Sequence, residues 1–365
     1  MTEKLRKLRM SQGIPVPLLR TIDANANRSR EGLRILEEVA RFFLDDQFLT
    51  ELAKDLRHDL EGALSGLPAP LRIAARNTLG DVGTSLTTSR EAERANLMDM
   101  ITANAARVAE ALRCLEEFGK LVSTSLAAQA KSLRYRVYTL EKTLVTTVRA
   151  SERLRDVRLY VLVDPQETED AFERLVSKLI EAGVHAIQLR AKSVSDRIFL
   201  GRARLLRRLT WQTGTLCIVN DRPDIAALVE ADGVHLGQED LPVAAARNIF
   251  GPHSLIGVST HSLVQAEEAV LAGADYIGVG PVFPSQTKSF AEFPGLDLVR
   301  AVAKRVSLPA FAIGGIHRDN LREVLEAGAR RIAVAAGIIK AADPAGEAKH
   351  FLELLQLYPL QSPTS

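Results

Sequence analysis

The sequence predicts an α/β protein, a C-terminal (β/α)8 TIM barrel preceded by a separate all-α domain. Three observations carry that expectation. From about residue 157, eight short β-rich runs alternate with helical periods. Residues 1 to about 150 contain almost nothing strand-like, and they hold an internal repeat of helical segments. The expected domains are therefore 1–150 and 151–365.

The repeat in the first half is explicit. Ile22-Asp23-Ala24-Asn25-Ala26-Asn27-Arg28 continues into Glu31-Gly32-Leu33-Arg34-Ile35-Leu36-Glu37-Glu38. Its second copy is Ile101-Thr102-Ala103-Asn104-Ala105-Ala106-Arg107, continuing into Glu110-Ala111-Leu112-Arg113-Cys114-Leu115-Glu116-Glu117. A further helical stretch follows each copy, through Leu56-Arg57 and through Leu133-Arg134. A duplicated helical hairpin forming a bundle of roughly four helices is the simple reading. Gly66-Leu67-Pro68-Ala69-Pro70 and Gly80-Asp81-Val82-Gly83-Thr84 read as loop between the copies. The repeated arginines admit two readings: ion pairs along a helix face, or an anion pocket lined by Arg28, Arg34, Arg107 and Arg113. Neither selects a chemistry.

In the second half the strands are expected at 158–163, 184–190, 215–220, 233–236, 255–258, 276–279, 310–313 and 331–335. Helical periods such as 170–182 and 195–211 separate them, with Ala-Gly stops at 182–183, 272–273 and 327–328. Eight regular units without a dinucleotide fingerprint favour a closed barrel over an open, doubly wound sheet.

Barrel chemistry stands where strands end. Asp221 and Asp240 follow the third and fourth strands, where two carboxylates on one rim suit a hard cation. The alternative is that each caps the helix after it. After the second strand, Gln188, Arg190 and Lys192 fall in one phase and suit a di- or triphosphate. The fifth strand brings Ser259 and Thr260. The sixth runs into Ser285-Gln286-Thr287-Lys288, the seventh into Gly314-Gly315, and the eighth into Ala335-Ala336-Gly337. Loops after strands seven and eight commonly cradle a phosphate. Two anion sites are expected: one polyanionic and metal-assisted at strands two to six, one for a single phosphate at strands six to eight. His185 and His235, within strands, read as packed side chains rather than ligands.

Composition excludes several classes. Lys plus Arg (47) against Asp plus Glu (45) leaves a net charge of +2, which implies no whole-chain attraction to nucleic acid. No stretch is apolar enough to span a bilayer, and the first residues do not form a signal peptide. Cys114 and Cys217, one in each half, offer neither a disulfide framework nor a zinc pattern. A soluble, cytoplasmic protein is expected.

Taken together, Gln188-Leu189-Arg190-Ala191-Lys192, Val219-Asn220-Asp221-Arg222, Gly233 through Asp240, Gly257-Val258-Ser259 and Thr287-Lys288 resemble thiamine phosphate synthase, from about Leu159 to Ala341. The first half resembles a helical domain fused to some of these enzymes. The resemblance implies a (β/α)8 barrel that joins a pyrimidine diphosphate to a thiazole phosphate and releases diphosphate. It implies that Gln188, Leu189, Arg190, Ala191, Lys192, Asn220, Ser259 and Lys288 bind the pyrimidine diphosphate. Of these, Arg190, Lys192, Ser259 and Lys288 would be catalytic. Asp221 and Asp240 would hold Mg2+, and Ser285, Gln286, Thr287, Gly315, Ala335 and Ala336 would meet the thiazole phosphate. Two departures stand out. The family's usual Thr-Pro-Thr-Lys is Ser285-Gln286-Thr287-Lys288 here, and Ala336 replaces its usual Ser. A thiazole tautomerase-like isomerase and a non-catalytic thiamine phosphate-binding protein are the alternative readings.

Overall fold

The computed structural model describes residues 13–81, 94–191, 193–284 and 294–359. The chain divides into two compact units, Met1–Val145 and Thr146–Ser365.

In the first unit the two repeat copies are the long helices α1 (Val16–Glu38) and α4 (Leu97–Gly119), which pack on each other. Their buried residues correspond across the copies: Ile22 with Ile101, Ala26 with Ala105, Leu33 with Leu112, Leu36 with Leu115. Gly32 lets the two backbones approach closely. A Cβ there would lie 2.5 Å from Val108 Cγ2 and 3.2 Å from the Asn104 carbonyl oxygen. Helix α2 (Gln47–Ala63) is N-capped by the buried Asp46, which accepts from Leu49 N–H. The Pro68–Pro70 stretch, expected as loop, instead starts a short helix, α3 (Ala69–Ala74). Pro70 lies in its first turn, where a missing N–H costs nothing. Helix α5 (Thr124–Arg153) completes the α elements before the barrel.

Burial explains the repeated charges. Glu37 is fully buried; it accepts a hydrogen bond from Arg34 at 3.2 Å and is ion-paired with Arg57 at 2.8 Å. Its counterpart Glu116 accepts from Arg113 at 2.8 Å and Arg134 at 3.0 Å. A buried carboxylate is tolerated when paired, and each copy solves this with the same two arginines. Arg34 and Arg113 therefore belong to ion pairs. Arg28 and Arg107 lie exposed.

The second unit is a closed, all-parallel barrel in sequential order β1 to β8. Its strands are β1 Leu159–Val163, β2 Ala186–Leu189, β3 Leu216–Asn220, β4 Gly233–Leu236, β5 Leu255–Thr260, β6 Tyr276–Val279, β7 Ala310–Ile313 and β8 Arg331–Val334. All eight expected strands are present, and β5 runs two residues further than its pattern suggested. The strands are buried on both faces, as a sheet wrapped in helices must be. Outer helices carry one apolar stripe each. In α6 (Glu169–Glu181), Phe172, Val176 and Leu179 face inward and Thr168 caps the start by accepting from Ala171 N–H. The inward layer of the barrel contains Tyr160, Leu162, Ala186, Ile218, Leu255, Tyr276, Phe311 and Ala333.

Ion pairs stand at two strand starts, one on a buried and one on a half-buried aspartate. Asp275, fully buried before β6, pairs with Arg149 at 3.2 Å and Arg247 at 2.6 Å. It also accepts from the Ile256 N–H at 2.9 Å. Before β4, Asp232 pairs with Arg207 at 3.1 Å and accepts from Cys217 N–H at 2.8 Å. No helix among the described residues is long and apolar enough to cross a membrane.

Removing the shared carboxylate would leave two partly buried guanidinium groups without it. Asp275→Ala is therefore expected to destabilise the barrel by about 3–5 kcal/mol. The check is urea unfolding followed by fluorescence, since the chain's single tryptophan, Trp211, lies in the barrel unit. A loss below about 1 kcal/mol would show that the pairs hold little of the fold.

Candidate active site

Alternation along each strand decides which side chains reach the interior near the strand ends. Ile218 is inward on β3, so Asn220 two residues on is inward too, and it is buried. On β2 the same phase runs through Ala186 and Gln188, whose side chain is buried. Leu189, in register with Val163 and Val219, is fully buried in the opposite phase. Arg190 follows, half-buried, with its N–H donating to Val163 at 2.9 Å. Among the described residues, no carboxylate pairs with the Arg190 guanidinium. Ala191 is half-buried beside it.

Beneath this rim a hydrogen-bonded chain crosses the barrel. Gln188 Nε2 donates to Tyr160 Oη at 2.7 Å, and the Tyr160 and Tyr276 hydroxyls lie 3.2 Å apart. Tyr276 Oη is 3.3 Å from His235 Nδ1, and His235 Nε2 is 3.0 Å from Ser259 Oγ. Both phenols are deeply buried, and desolvation pushes their ionisation well above the ordinary range, so they remain neutral donors and acceptors. Small residues make the space. A Cβ on Gly257 would lie 2.1 Å from the Tyr276 ring, and one on Gly278 would lie 3.4 Å from His235. His235 is thus packed, as expected, but it also joins Ser259 to the interior. Tyr160, Tyr276 and His235 were absent from the site read from sequence. The available signal was large inward residues on β1, β4 and β6 beside inward glycines on β5 and β6.

The two aspartates stand at adjacent strand ends, both exposed. Asp221 has a left-handed backbone, φ 61°, and its N–H donates to the His235 carbonyl at 2.8 Å. Such a conformation at a strand end is tolerated by Asp better than by most side chains. Asp240 Oδ2 accepts from Gly237 N–H at 2.6 Å, closing the turn after β4. Neither carboxylate caps the following helix. The helices Pro223–Leu228 and Val243–Phe250 have Arg222 and Pro242 at their N-cap positions, with no side-chain cap. Among the described residues no three His, Cys, Asp or Glu side chains form a metal-binding group. Two carboxylates on a rim open to phosphate still fit Mg2+, which commonly uses one or two carboxylates plus substrate oxygens and water. Neighbouring Arg222 is held by Asp196 and Asp224, both at 2.7 Å, and is therefore engaged within the protein.

After β7, Gly314 and Gly315 have φ 105° and 64°. A Cβ on Gly315 would lie 2.8 Å from Phe283 Cβ and 2.9 Å from the Phe283 and Pro284 carbonyl oxygens. The Gly315 carbonyl accepts from Asn320 Nδ2 at 2.9 Å. Beyond β8, Ala335 and Ala336 are exposed and begin the short helix Ala336–Ile339. N–H groups in that first turn have no intrahelical acceptor. Lys192, Ser285, Gln286, Thr287 and Lys288 lie outside the described residues.

Comparison with known proteins follows the same division of the chain. Residues 159–338 match the family model of thiamine monophosphate synthase, and residues 20–143 match that of the ThiD2 family. A thiamine-phosphate synthase of Rhodopirellula baltica is 42% identical over 94% of this chain and 94% of its own length. That of Gloeobacter violaceus is 45% identical over 93% of this chain and 97% of its own. Among solved structures, a thiamine phosphate pyrophosphorylase from Pyrococcus furiosus is 37% identical, with a TM-score of 0.51, and covers 58% of this chain and 98% of its own. With the barrel, its rim and relatives that align along nearly its whole length, the chain belongs to the thiamine-phosphate synthase family.

Proposed function

We propose that this chain condenses 4-amino-2-methyl-5-(diphosphooxymethyl)pyrimidine with a thiazole phosphate, forming thiamine phosphate and releasing diphosphate. The chemistry is assigned to the barrel domain, 151–365, with the helical domain, 1–150, as a separate module. The observation that carries the reading is the coincidence on one rim of the Arg190 guanidinium, which pairs with no carboxylate among the described residues, and two carboxylates that cap no helix. A cytoplasmic setting agrees with two free cysteines, Cys114 and Cys217.

The residues divide the work. Gln188 and Asn220, buried beneath the rim, hold the pyrimidine ring, with Ala191 beside them; the Leu189 side chain, in the opposite phase, faces away from the interior, so only its backbone adjoins the ring. Arg190, Lys192 and Lys288 surround the diphosphate, and Ser259 donates its hydroxyl to it. The aminopyrimidine stabilises positive charge on its methylene, so the carbon–oxygen bond breaks as diphosphate departs and the thiazole nitrogen supplies the new bond. The dominant demand is stabilisation of the leaving oxygens, which fixed cations meet without any proton transfer in the bond-forming step. Asp221 and Asp240 would hold Mg2+, which when bound offsets charge on the diphosphate. Ser285, Gln286, Thr287 and the backbone N–H groups at Gly315, Ala335 and Ala336 receive the thiazole phosphate. Diphosphate release in a two-substrate assay, with and without Mg2+, tests the reading; no release from the folded chain with both substrates and Mg2+ rejects it.

Asp221→Asn and Asp240→Asn are each expected to lower turnover at least about tenfold and to raise the Mg2+ concentration needed for half-maximal rate. Normal rates for both at limiting Mg2+ would remove the metal site.

Arg190→Ala and Lys288→Ala are expected to weaken use of the pyrimidine diphosphate by about 1.5–3 kcal/mol in kcat/KM. Their stability cost should be roughly 0.5 kcal/mol. Steady-state kinetics beside thermal melts separates the two effects. Early melting with normal turnover of the folded fraction would return both to a structural role.

Ala336→Ser restores a hydroxyl beside the thiazole phosphate. It is expected to lower the KM for that substrate up to roughly tenfold, less where water already fills the gap, and to leave the KM for the pyrimidine diphosphate unchanged. A response on the pyrimidine side alone, or none at all, would show that the two phosphate sites are misplaced.

A further inference from the structure

Each member of the chain across the barrel has limited hydrogen-bonding capacity. A phenol or a neutral imidazole has one proton to give, so the direction of one link sets the direction of the next. With Gln188 Nε2 donating to Tyr160, the Tyr160 proton goes to Tyr276 and the Tyr276 proton to His235 Nδ1. His235 then carries its own proton on Nε2 and donates to Ser259 Oγ. The group that faces outward is then fixed at each end. Ser259 retains its O–H proton for an outside acceptor. Gln188 retains Oε1, a buried acceptor with no hydrogen-bond partner. Reversing every link turns both ends over: Ser259 gives its proton to His235 and accepts from outside, while Gln188 turns its carbonyl toward Tyr160 and its NH2 outward.

We propose that Tyr160, Tyr276 and His235 are positioning residues that couple the two ends of the pyrimidine diphosphate site. An anionic oxygen at Ser259 requires the donor state there, and the chain then obliges Gln188 to present its acceptor. The ligand that satisfies both ends carries phosphate oxygens and, on its ring, an N–H donor such as the 4-amino group. A 4-oxo ring carrying the same diphosphate presents an acceptor to an acceptor and is rejected. This inference rests on the proposed substrate assignment. It adds that ring discrimination is set partly at Ser259, at the far end of the chain. Gly257 serves the same arrangement, since a side chain there would collide with Tyr276.

The experiment compares kcat/KM for the 4-amino pyrimidine diphosphate with inhibition by its 4-oxo analogue, using the full chain with Mg2+ and the thiazole phosphate. A site built around a hydrogen bond discriminates strongly, on the order of 10⁴-fold, in the wild type. Tyr276→Phe keeps the ring and removes the central link. Ser259→Ala keeps the interior and removes the far end at the rim, where folding is least at risk. Each is expected to narrow the amino-to-oxo preference by about tenfold or more, with a circular dichroism spectrum matching the wild type. A purely structural role would weaken both ligands together and leave their ratio unchanged. An unchanged ratio in folded Ser259→Ala overturns the coupling even if Tyr276→Phe does not fold. A wild type that releases no diphosphate rejects the substrate assignment itself, and the coupling with it.

Discussion

The Tyr276 ring can lie across the barrel interior only because Gly257 on the neighbouring strand has no side chain; a Cβ there would stand 2.1 Å from the ring. Much of the interior follows from this contact. Tyr276 meets Tyr160 and Phe311 edge-on, with ring centroids 6.0 and 5.5 Å away, and it lies 5.5 Å from the tilted ring of His235. These rings fill the space beneath the rim and exclude water from it. Their polar atoms are satisfied by one another, so the layer is apolar in bulk and directional in its hydrogen bonds. Gln188 and Ser259 sit at the two ends of that layer.

The helical unit applies a similar economy to charge. Glu37 and Glu116 are buried carboxylates, each closed by one arginine of its own helix and one from the helical stretch that follows. Losing one partner of such a set leaves a desolvated charge, whereas the complete set costs little. This explains why glutamate and both arginines recur together in the two copies. It also removes Arg34 and Arg113 from any reading as free anion ligands, although spacing alone allowed one.

The barrel was legible because parallel strands buried on both faces are short apolar runs, and eight of them separated by helical periods have few other solutions. Residues that follow strands could be placed on the rim by counting, which located Gln188, Asn220, Asp221, Asp240 and Ser259. The choice between metal ligand and helix cap for the two aspartates could not be made that way. A cap depends on where the next helix begins, and the two helices start two and three residues later, from Arg222 and Pro242, without a side-chain cap. The interior chain was hidden for a different reason. Tyr160, His235 and Tyr276 come from strands far apart in sequence, and only barrel closure brings their polar atoms within 3.3 Å of one another. A strand histidine on its own reads as packing, and His235 is packed as well as hydrogen-bonded.

The two halves of the rim follow different physical logics. Around strands two to five the groups are side chains with charge or a directed proton, suited to a polyanion whose charge rises as it leaves. Around strands seven and eight they are backbone N–H groups beside glycines and at a helix start, a kind of donor suited to an anion that does not change during a reaction. A monophosphate that only anchors its substrate needs the second kind. Under the proposed assignment, a methyl at Ala336 in place of a hydroxyl is tolerable, because backbone donors persist whichever side chain stands there. Under the same assignment a loss at Arg190 has no backbone substitute, since its charge resides in the side chain itself.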